Sequence, residues 1–183
     1  RSDDNGLDGL DRNPNIYYAY MEYNRDALRA YLDEYAYLNG FYDDLLGRYN
    51  FTTDYNHDYP FYNSSDCANF VSQCMNICGM PMNDRWHAYS TDVLLPLDHN
   101  ERFDVTRSWS IVQRQYRYLV RSDYCAEVII VDGQDVINGN LENIIEEYNI
   151  QVGDILFMDK WSDDVLNHAT IISMIDDGMI YRS

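Results

Sequence analysis

Residues 66–79 read DCANFVSQCMNICG, and this stretch is the clearest helix signal in the chain. Asp66 or Ser65 can cap its start, and Gly79, with a proline two residues later, ends it. Apolar side chains recur at spacings of three and four and form one stripe, namely Cys67, Phe70, Val71, Cys74, Ile77 and Cys78. The stretch therefore predicts a helix over residues 67–78 that begins with a cysteine and buries one face.

A cysteine at the first turn of a helix has a chemical consequence. The unpaired backbone N–H groups and the positive end of the helix dipole favour a thiolate there, and the following amides point to where an oxyanion could form. Cys67 is therefore a candidate nucleophile, and the alternative is that its place on the apolar stripe makes it an ordinary core residue. The four cysteines form no CxxC pair, so neither a zinc finger nor a thioredoxin-type site is indicated, and we expect reduced thiols.

The C-terminal part of the chain has the pattern of β-strands. An apolar run over residues 155–158 is followed by a second strand over residues 168–175, and Asp177-Gly178 predicts a hairpin turn into residues 179–181. His168 opens the second strand and shares a face with Thr170, because side chains alternate along a strand. It is a candidate base or ligand with a fixed direction. The other histidines sit in polar, loop-like settings: His57, His87 and His99.

The remaining elements complete an α+β layout with the helices first and a meandering antiparallel sheet last. Residues 1–15 are acidic and turn-rich, and we interpret them as a linker or tail before a single domain over residues 16–183. The other predicted segments are a helix from Tyr17 to Tyr37, a loop over 48–65, a helix over 109–121, a strand over 127–131 and a short helix over 141–148.

Composition excludes several classes of partner. The chain has 183 residues, with 31 Asp and Glu against 13 Lys and Arg, for a formal net charge of -18. Binding to nucleic acid or anionic lipid depends on basic side chains, so neither partner is expected, and the charge favours a neutral or cationic substrate. No run approaches the roughly 20 apolar residues of a membrane span. The 18 tyrosines either line a groove or serve amphipathic packing.

Several segments in the same order resemble the "Putative amidase domain" family of bacteria, which is related to CHAP amidases and other papain-like cell-wall hydrolases. The segments that carry the resemblance are YNRDA (23–27), DCANFVSQ (66–73), GMPM (79–82), WSIVQ (109–113), GDI (153–155) and His168 with its apolar strand. The resemblance implies a papain-like fold, with N-terminal helices packed on a C-terminal antiparallel sheet.

The resemblance also implies hydrolysis of an amide bond through a thioester, with Cys67 as nucleophile and His168 as base. The backbone N–H of Cys67 would form half of the oxyanion hole. Asp66 is expected to cap the helix rather than to do chemistry. Tyr62 and Trp161 would line the cleft, with core packing as the alternative.

The same resemblance implies a peptide or cell-wall amide substrate, such as the peptidoglycan stem peptide or its link to the sugar. We then expect an extracellular or cell-wall-associated monomer without cofactor or metal. A catalytically weak or inactive papain-like module that binds peptide or glycan is the alternative. A metal site is the weakest hypothesis, because the chain has neither an HExxH motif nor a clustered histidine pair.

No residue that would orient His168 is evident. If Asp177-Gly178 forms a two-residue turn, paired positions sum to 355 and His168 faces a position near 187, beyond Ser183. Asp176 lies eight residues past His168, roughly 25 Å away along the strand. We therefore expect the domain to be truncated before its orienting residue, and the alternative is a side chain that the sequence does not reveal.

Overall fold

The structure is a computed structural model. It describes residues 23–36, 39–43, 48–52, 55–62, 65–91, 98–131, 141–176 and 179–182, and the predicted N-terminal tail lies outside this part of the chain. The described helices are α1 Arg25–Tyr35, α2 Cys67–Ile77, α3 Arg107–Ser110, α4 Val112–Leu119 and α5 Leu141–Glu147, with a 3-10 helix at His99–Arg102. The strands are β1 Asn39–Asp43, β2 Arg48–Thr52, β3 Ala88–Ser90, β4 Phe103–Val105, β5 Ile155–Met158, β6 His168–Asp176 and β7 Met179–Arg182.

The predicted α+β class is confirmed, and so are the helix at residues 67–78 and the C-terminal strands. Within the described ranges the strands form two separate antiparallel pairs, β1–β2 and β3–β4, and one three-stranded sheet in the order β5–β6–β7. None of the helices in these ranges is long and apolar enough to cross a membrane.

Three predicted elements are wrong or incomplete. Residues 127–131 form no strand, and Ile130 is 69% exposed because no neighbouring strand in the described part of the chain covers this apolar run. The predicted loop over 48–65 begins with β2, which pairs with β1. The predicted helix over 109–121 is broken at Ile111, which adopts an extended conformation and separates α3 from α4.

The hairpin register follows the turn prediction and then departs from it. Asp176 pairs with Met179 as predicted, but the pairing slips at a bulge, so that Ile172 faces Arg182. On the other side of β6, Met158 of β5 pairs with His168.

The core is built around α2, which packs against α1, α3 and β6. Val71 and Cys74 of this helix are fully buried, and so is Cys78, the residue that follows it. The indole rings of Trp86 and Trp109 lie 4.6 Å apart in the same cluster. Burial of this apolar surface is the main force that fixes α2, and therefore the position of its first residue, Cys67.

Candidate active site

Cys67 is the first residue of α2, as the sequence predicts. Its thiol is free and half-buried, and its side chain packs at the border of the core cluster. Among the described residues, no hydrogen bond occupies the Cys67 backbone N–H. A helix begins with such unpaired donors, so the thiol lies beside a group that can bind a negative oxygen.

The other cysteines have different surroundings. Burial raises the pKa of Cys74 well above its usual value, and burial also raises that of Cys78, so both stay protonated within the core. Cys125 is half-buried and its Sγ approaches the Glu127 carbonyl oxygen at 3.5 Å. Cys67 is therefore the thiol that combines partial exposure with a helix N-terminus.

Asp66 does not cap α2 through its side chain, although it occupies the N-cap position. Its Oδ1 instead accepts hydrogen bonds from the backbone N–H of Tyr62 at 2.9 Å and from Nδ2 of Asn69 at 2.8 Å. Asp66 was correctly predicted at the N-cap position, but the prediction that its side chain caps the helix is wrong. The carboxylate ties the segment before the helix to the helix itself.

Burial raises the pKa of Asp66 to about 6, while the hydrogen bonds that its carboxylate accepts from Tyr62 and Asn69 act to lower the pKa. The pKa of the Tyr62 hydroxyl is also raised, by burial and by the neighbouring Asp66 carboxylate. Tyr62 is half-buried. Tyr62 therefore lies beside Asp66, the residue that precedes the candidate nucleophile.

Asn69 and Asp66 together form a clamp of hydrogen bonds around the start of α2. Asn69 is fully buried, and its Nδ2 also donates to the carbonyl oxygen of Pro60 at 2.7 Å. Its Oδ1 accepts the indole N–H of Trp109 at 2.7 Å. Asn100 holds the same preceding segment from outside, with Nδ2 donating to the Phe61 carbonyl at 2.6 Å. The backbone leading into Cys67 is consequently fixed at several points.

Gln115 of α4 fixes the first turn of the helix from the other side. Its Nε2 donates to the carbonyl oxygen of Ala68 and to Oγ of Ser72, both at 2.7 Å. Since a carbonyl oxygen only accepts, the orientation of this amide is determined. Its buried Oε1 has no hydrogen-bond partner among the residues that the structure describes.

Asn69, Ser72, Asn100 and Gln115 were not predicted to take part in the site. A signal existed for the first two. Polar residues at 69, 72, 73 and 76 recur at helical spacing on an otherwise apolar helix. No comparable pattern marks Asn100 or Gln115, whose partners are distant in sequence.

His168 is the first residue of β6 and is half-buried. Burial lowers the pKa of its imidazole, and the neighbouring Lys160 and Arg182 lower it further. The ring is therefore neutral at neutral pH, which is the form that accepts a proton. Within the described part of the chain, no side chain hydrogen-bonds this ring.

The N-terminal end of α2 is linked by contacts to the N-terminal end of β6. Gln115, which holds Ala68, is followed by Tyr116, whose ring lies 5.4 Å from the ring of Phe157. Phe157 pairs directly with Ala169.

The C-terminal end of α2 is linked in the same way to a later position on the strand. The carbonyl oxygen of Cys78 accepts the N–H of Asn24 at 3.0 Å. The adjacent Tyr23 donates its hydroxyl to the carbonyl oxygen of Gly153, and Gly153 N–H donates to Ile172. The two chains of contacts indicate that α2 and β6 run in the same direction, with Cys67 and His168 at the same end.

The two faces of β6 differ. Ala169 and Ile171 belong to the core cluster that includes residues of α2. Strand alternation puts His168 on the other face, together with its cross-strand partner Met158 and with Arg182. The imidazole therefore projects from the start of the strand, near Lys160 and Arg182.

Trp161 lies in the loop between β5 and β6 and is 74% exposed, so the alternative of core packing is wrong for this residue. The loop is ordered by Asp159, whose carboxylate accepts the backbone N–H groups of Trp161 at 3.1 Å and Asp164 at 2.8 Å. The indole is thus displayed to solvent a few residues before His168.

Two of the remaining histidines are fixed more firmly than the sequence indicated. His87 is buried, with Nδ1 2.9 Å from the Asn83 carbonyl oxygen and Nε2 3.4 Å from Asp104. His99 opens the 3-10 helix, and its Nε2 lies 2.7 Å from the carbonyl oxygen of Tyr59. The expectation of unfixed loop positions is therefore wrong for both. The structure brings together no group of three His, Cys, Asp or Glu side chains suited to a metal ion among the residues it describes.

Comparison with known proteins supplies the family. Neither the curated proteins nor the solved structures include a match to this chain. The family model described as "Putative amidase domain" matches residues 22–180, which include all of α2, β5 and β6. The chain therefore belongs to the "Putative amidase domain" family, whose description points to the hydrolysis of amide bonds.

Proposed function

We propose that this protein is a papain-like cysteine hydrolase that cleaves an amide or peptide bond, with Cys67 as nucleophile and His168 as base. The observation that carries the proposal is the position of Cys67. It is a half-buried free thiol on the first residue of a helix that packs against the strand beginning with His168. Membership of an amidase family supports the same reaction class.

In the proposed reaction, the Cys67 sulfur attacks the carbonyl carbon while His168 takes the thiol proton. The oxyanion is bound by the backbone N–H of Cys67. His168 then gives the proton to the leaving amine, which departs and leaves a thioester. His168 deprotonates a water molecule, which attacks the thioester. The C–S bond then breaks, the acid is released, and His168 returns the proton to the Cys67 sulfur. The lowered pKa of His168 suits the base role, because the neutral ring is the proton acceptor.

The clamp around residues 60–69 supports this chemistry by holding the nucleophile in one geometry. Asp66, Asn69 and Gln115 fix the backbone on both sides of Cys67. Precise positioning of a nucleophile contributes to the rate because a small displacement of the reacting atoms is costly. In this proposal Asp66 and Asn69 are positioning residues, and Trp161 contacts the substrate from its exposed loop.

We propose a peptide-containing substrate, with peptidoglycan as the leading candidate, which would place the protein outside the cell or at the cell wall. The proposal of peptidoglycan rests on the resemblance to cell-wall hydrolases.

The test is the rate at which iodoacetamide alkylates Cys67 as a function of pH. We expect Cys67 to react at pH 6–7 at least tenfold faster than Cys125 in the same molecule, measured by peptide mass spectrometry. We expect His168→Asn to remove most of that advantage, because an amide cannot take the thiol proton. His57→Asn, at an exposed position, is the matched control and should leave the rate unchanged.

This test is decisive because side-chain alternation along β6 puts His168 on the face opposite Ala169 and Ile171, which pack in the core with α2. Direct proton transfer requires the imidazole to reach the thiol around the end of the strand. A Cys67 that reacts no faster than Cys125, or a rate that does not change in His168→Asn, would remove the catalytic pair.

The second candidate is a papain-like module that binds peptide or glycan with little or no catalysis. It is favoured by the lack, in the described part of the chain, of a side chain that hydrogen-bonds and orients the His168 ring. An unreactive Cys67 together with saturable binding of soluble peptidoglycan fragments would support this function. Thiol-dependent release of an amine from the same fragments would exclude it.

A further inference from the structure

Two cationic side chains flank His168 in a strongly acidic protein. Lys160 is the only lysine in a chain whose formal net charge is -18. Arg182 lies on β7, at the opposite edge of the sheet from the strand that leads to Lys160. Residues from two separate segments therefore bring positive charge to the same imidazole.

The geometry of the sheet explains this convergence. Met158 pairs with His168, and Nη1 of Arg182 lies 3.5 Å from Sδ of Met158, so the guanidinium reaches across β6 on the face that carries the imidazole. Lys160 follows Met158 by two residues. Its backbone N–H donates to Oδ1 of Asn167, whose own N–H donates to the Met158 carbonyl oxygen. These bonds close the loop so that Lys160 stands beside the start of β6.

Lys160 and Arg182 have no ion-pair partner in the part of the chain that the structure describes. Both residues are exposed, and within the described ranges no carboxylate lies in ion-pair distance of either side chain. The chain has 31 acidic residues, yet none of the described ones forms an ion pair with these two cations. Among the described residues, both cations are thus left available to an anionic ligand.

We propose that Lys160 and Arg182 form a subsite that binds a carboxylate of the substrate next to His168. This inference rests on the proposed function. Because His168 returns the proton to the leaving amine, a carboxylate bound beside it belongs to the amine side of the scissile bond. The substrate class is therefore an amide whose amine product carries a free carboxylate, as an amino acid or an acidic peptide does.

The lowered pKa of His168 is consistent with the two cations acting at this position. The overall charge of the protein, which by itself favours a neutral or cationic substrate, does not prevent local binding of an anion. Exposed charges more than a Debye length away are largely screened, about 8 Å at physiological salt, whereas the two cations act at short range. The two cations can therefore bind a carboxylate locally despite the negative net charge of the chain.

Two alkylating reagents of nearly equal size test the subsite directly. Iodoacetate carries a carboxylate and iodoacetamide does not, and in both cases the Cys67 thiolate displaces iodide. We expect the ratio of their rates at Cys67 to fall about tenfold in Lys160→Gln with Arg182→Gln, as the loss of two short-range charge interactions predicts. Added salt should lower the iodoacetate rate in the wild type more than in this variant.

The matched control is Arg29→Gln with Arg114→Gln, which removes the same net charge at exposed positions on α1 and α4. An unchanged ratio in this control, with the tenfold fall in the subsite variant, supports the proposal. An equal fall in both variants, or no fall in either, overturns it.

A second measurement separates failure of the subsite from failure of the proposed function. If alkylation of Cys67 does not depend on His168, the proposed function fails, and the subsite is then tested by acetate alone. We expect acetate to raise the pKa of His168 saturably, followed by NMR of the imidazole protons, and this effect to vanish in the Lys160→Gln, Arg182→Gln protein. A wild-type His168 that does not respond to acetate overturns the subsite.

Discussion

Asp66→Asn should stabilise the protein near neutral pH. The Asp66 carboxylate accepts two hydrogen bonds but is largely buried beside the start of α2, and its pKa is raised from 3.8 to about 6. Folding therefore makes it harder to ionise this group. Asparagine keeps an oxygen for the N–H of Tyr62 and for Nδ2 of Asn69, but it carries no charge.

The pH dependence follows from the direction of the shift. Below about pH 4 the carboxyl is protonated in both folded and unfolded chains and contributes no difference. Between about pH 4 and 6 the unfolded chain loses its proton first, so the free energy of unfolding falls as pH rises. Two pKa units at 1.36 kcal/mol each give an upper limit of about 3 kcal/mol, and solvent contact reduces this to about 1–2 kcal/mol.

The assay is urea unfolding of the wild type and the variant at half-unit steps from pH 4 to pH 8. The variant should gain about 1–2 kcal/mol over the wild type above pH 6.5 and almost nothing at pH 4. Asp33→Asn, on the exposed face of α1, controls for removal of a negative charge from an acidic protein. A difference between Asp66→Asn and wild type that does not change with pH, or that has the opposite sign, would refute the reasoning.

Two further substitutions test the framework of the site. Trp109→Phe leaves Oδ1 of the buried Asn69 without its donor and should lower the free energy of unfolding by about 2 kcal/mol in urea titrations. The control Trp161→Phe, in an exposed loop, should change this free energy by less than about 0.5 kcal/mol. Equal effects of the two substitutions would show that the Trp109 indole N–H has no special role. Gly153→Ala adds a Cβ only 2.8 Å from two side-chain atoms at a φ of +94°, and should cost about 2–4 kcal/mol by thermal or urea unfolding. The control is Gly79→Ala, at an exposed position with a φ of +107°, which should cost about 1 kcal/mol from backbone strain alone. If Gly153→Ala costs no more free energy of unfolding than Gly79→Ala, steric crowding of the added Cβ at Gly153 is excluded.

Much of the candidate site was accessible from sequence because its decisive elements are local. The apolar spacing and the Gly79 stop defined α2, and Cys67 follows as its first residue. The Asp177-Gly178 signal gave the pairing of Asp176 with Met179, which the structure confirms. The bulge that shifts Arg182 opposite Ile172 could not be predicted, since a register change depends on how the whole strand packs.

Predictions failed where an element needs a distant partner. Residues 127–131 have the composition of a strand but lack a neighbouring strand in the described part of the molecule, and intrinsic β-propensity cannot replace pairing and burial. The strands β3 and β4 were not predicted, because the sequence of each is too short to show a strand pattern. Each has only three residues, and they are defined by pairing with each other across the chain.

The sequence alone determined that α2 begins with a cysteine, that β6 begins with a histidine, and which face of each element is apolar. These are properties of 3.6- and 2-residue periodicity, which act within one segment. Only the tertiary structure decided that Asn69 and Ser72 of α2 are buried and hydrogen-bonded to Pro60, Trp109 and Gln115, and that Arg182 reaches Met158, the cross-strand partner of His168. Hydrogen bonds and charges of this kind depend on distances between segments that are far apart along the chain, and those distances are set by the packing of the entire core.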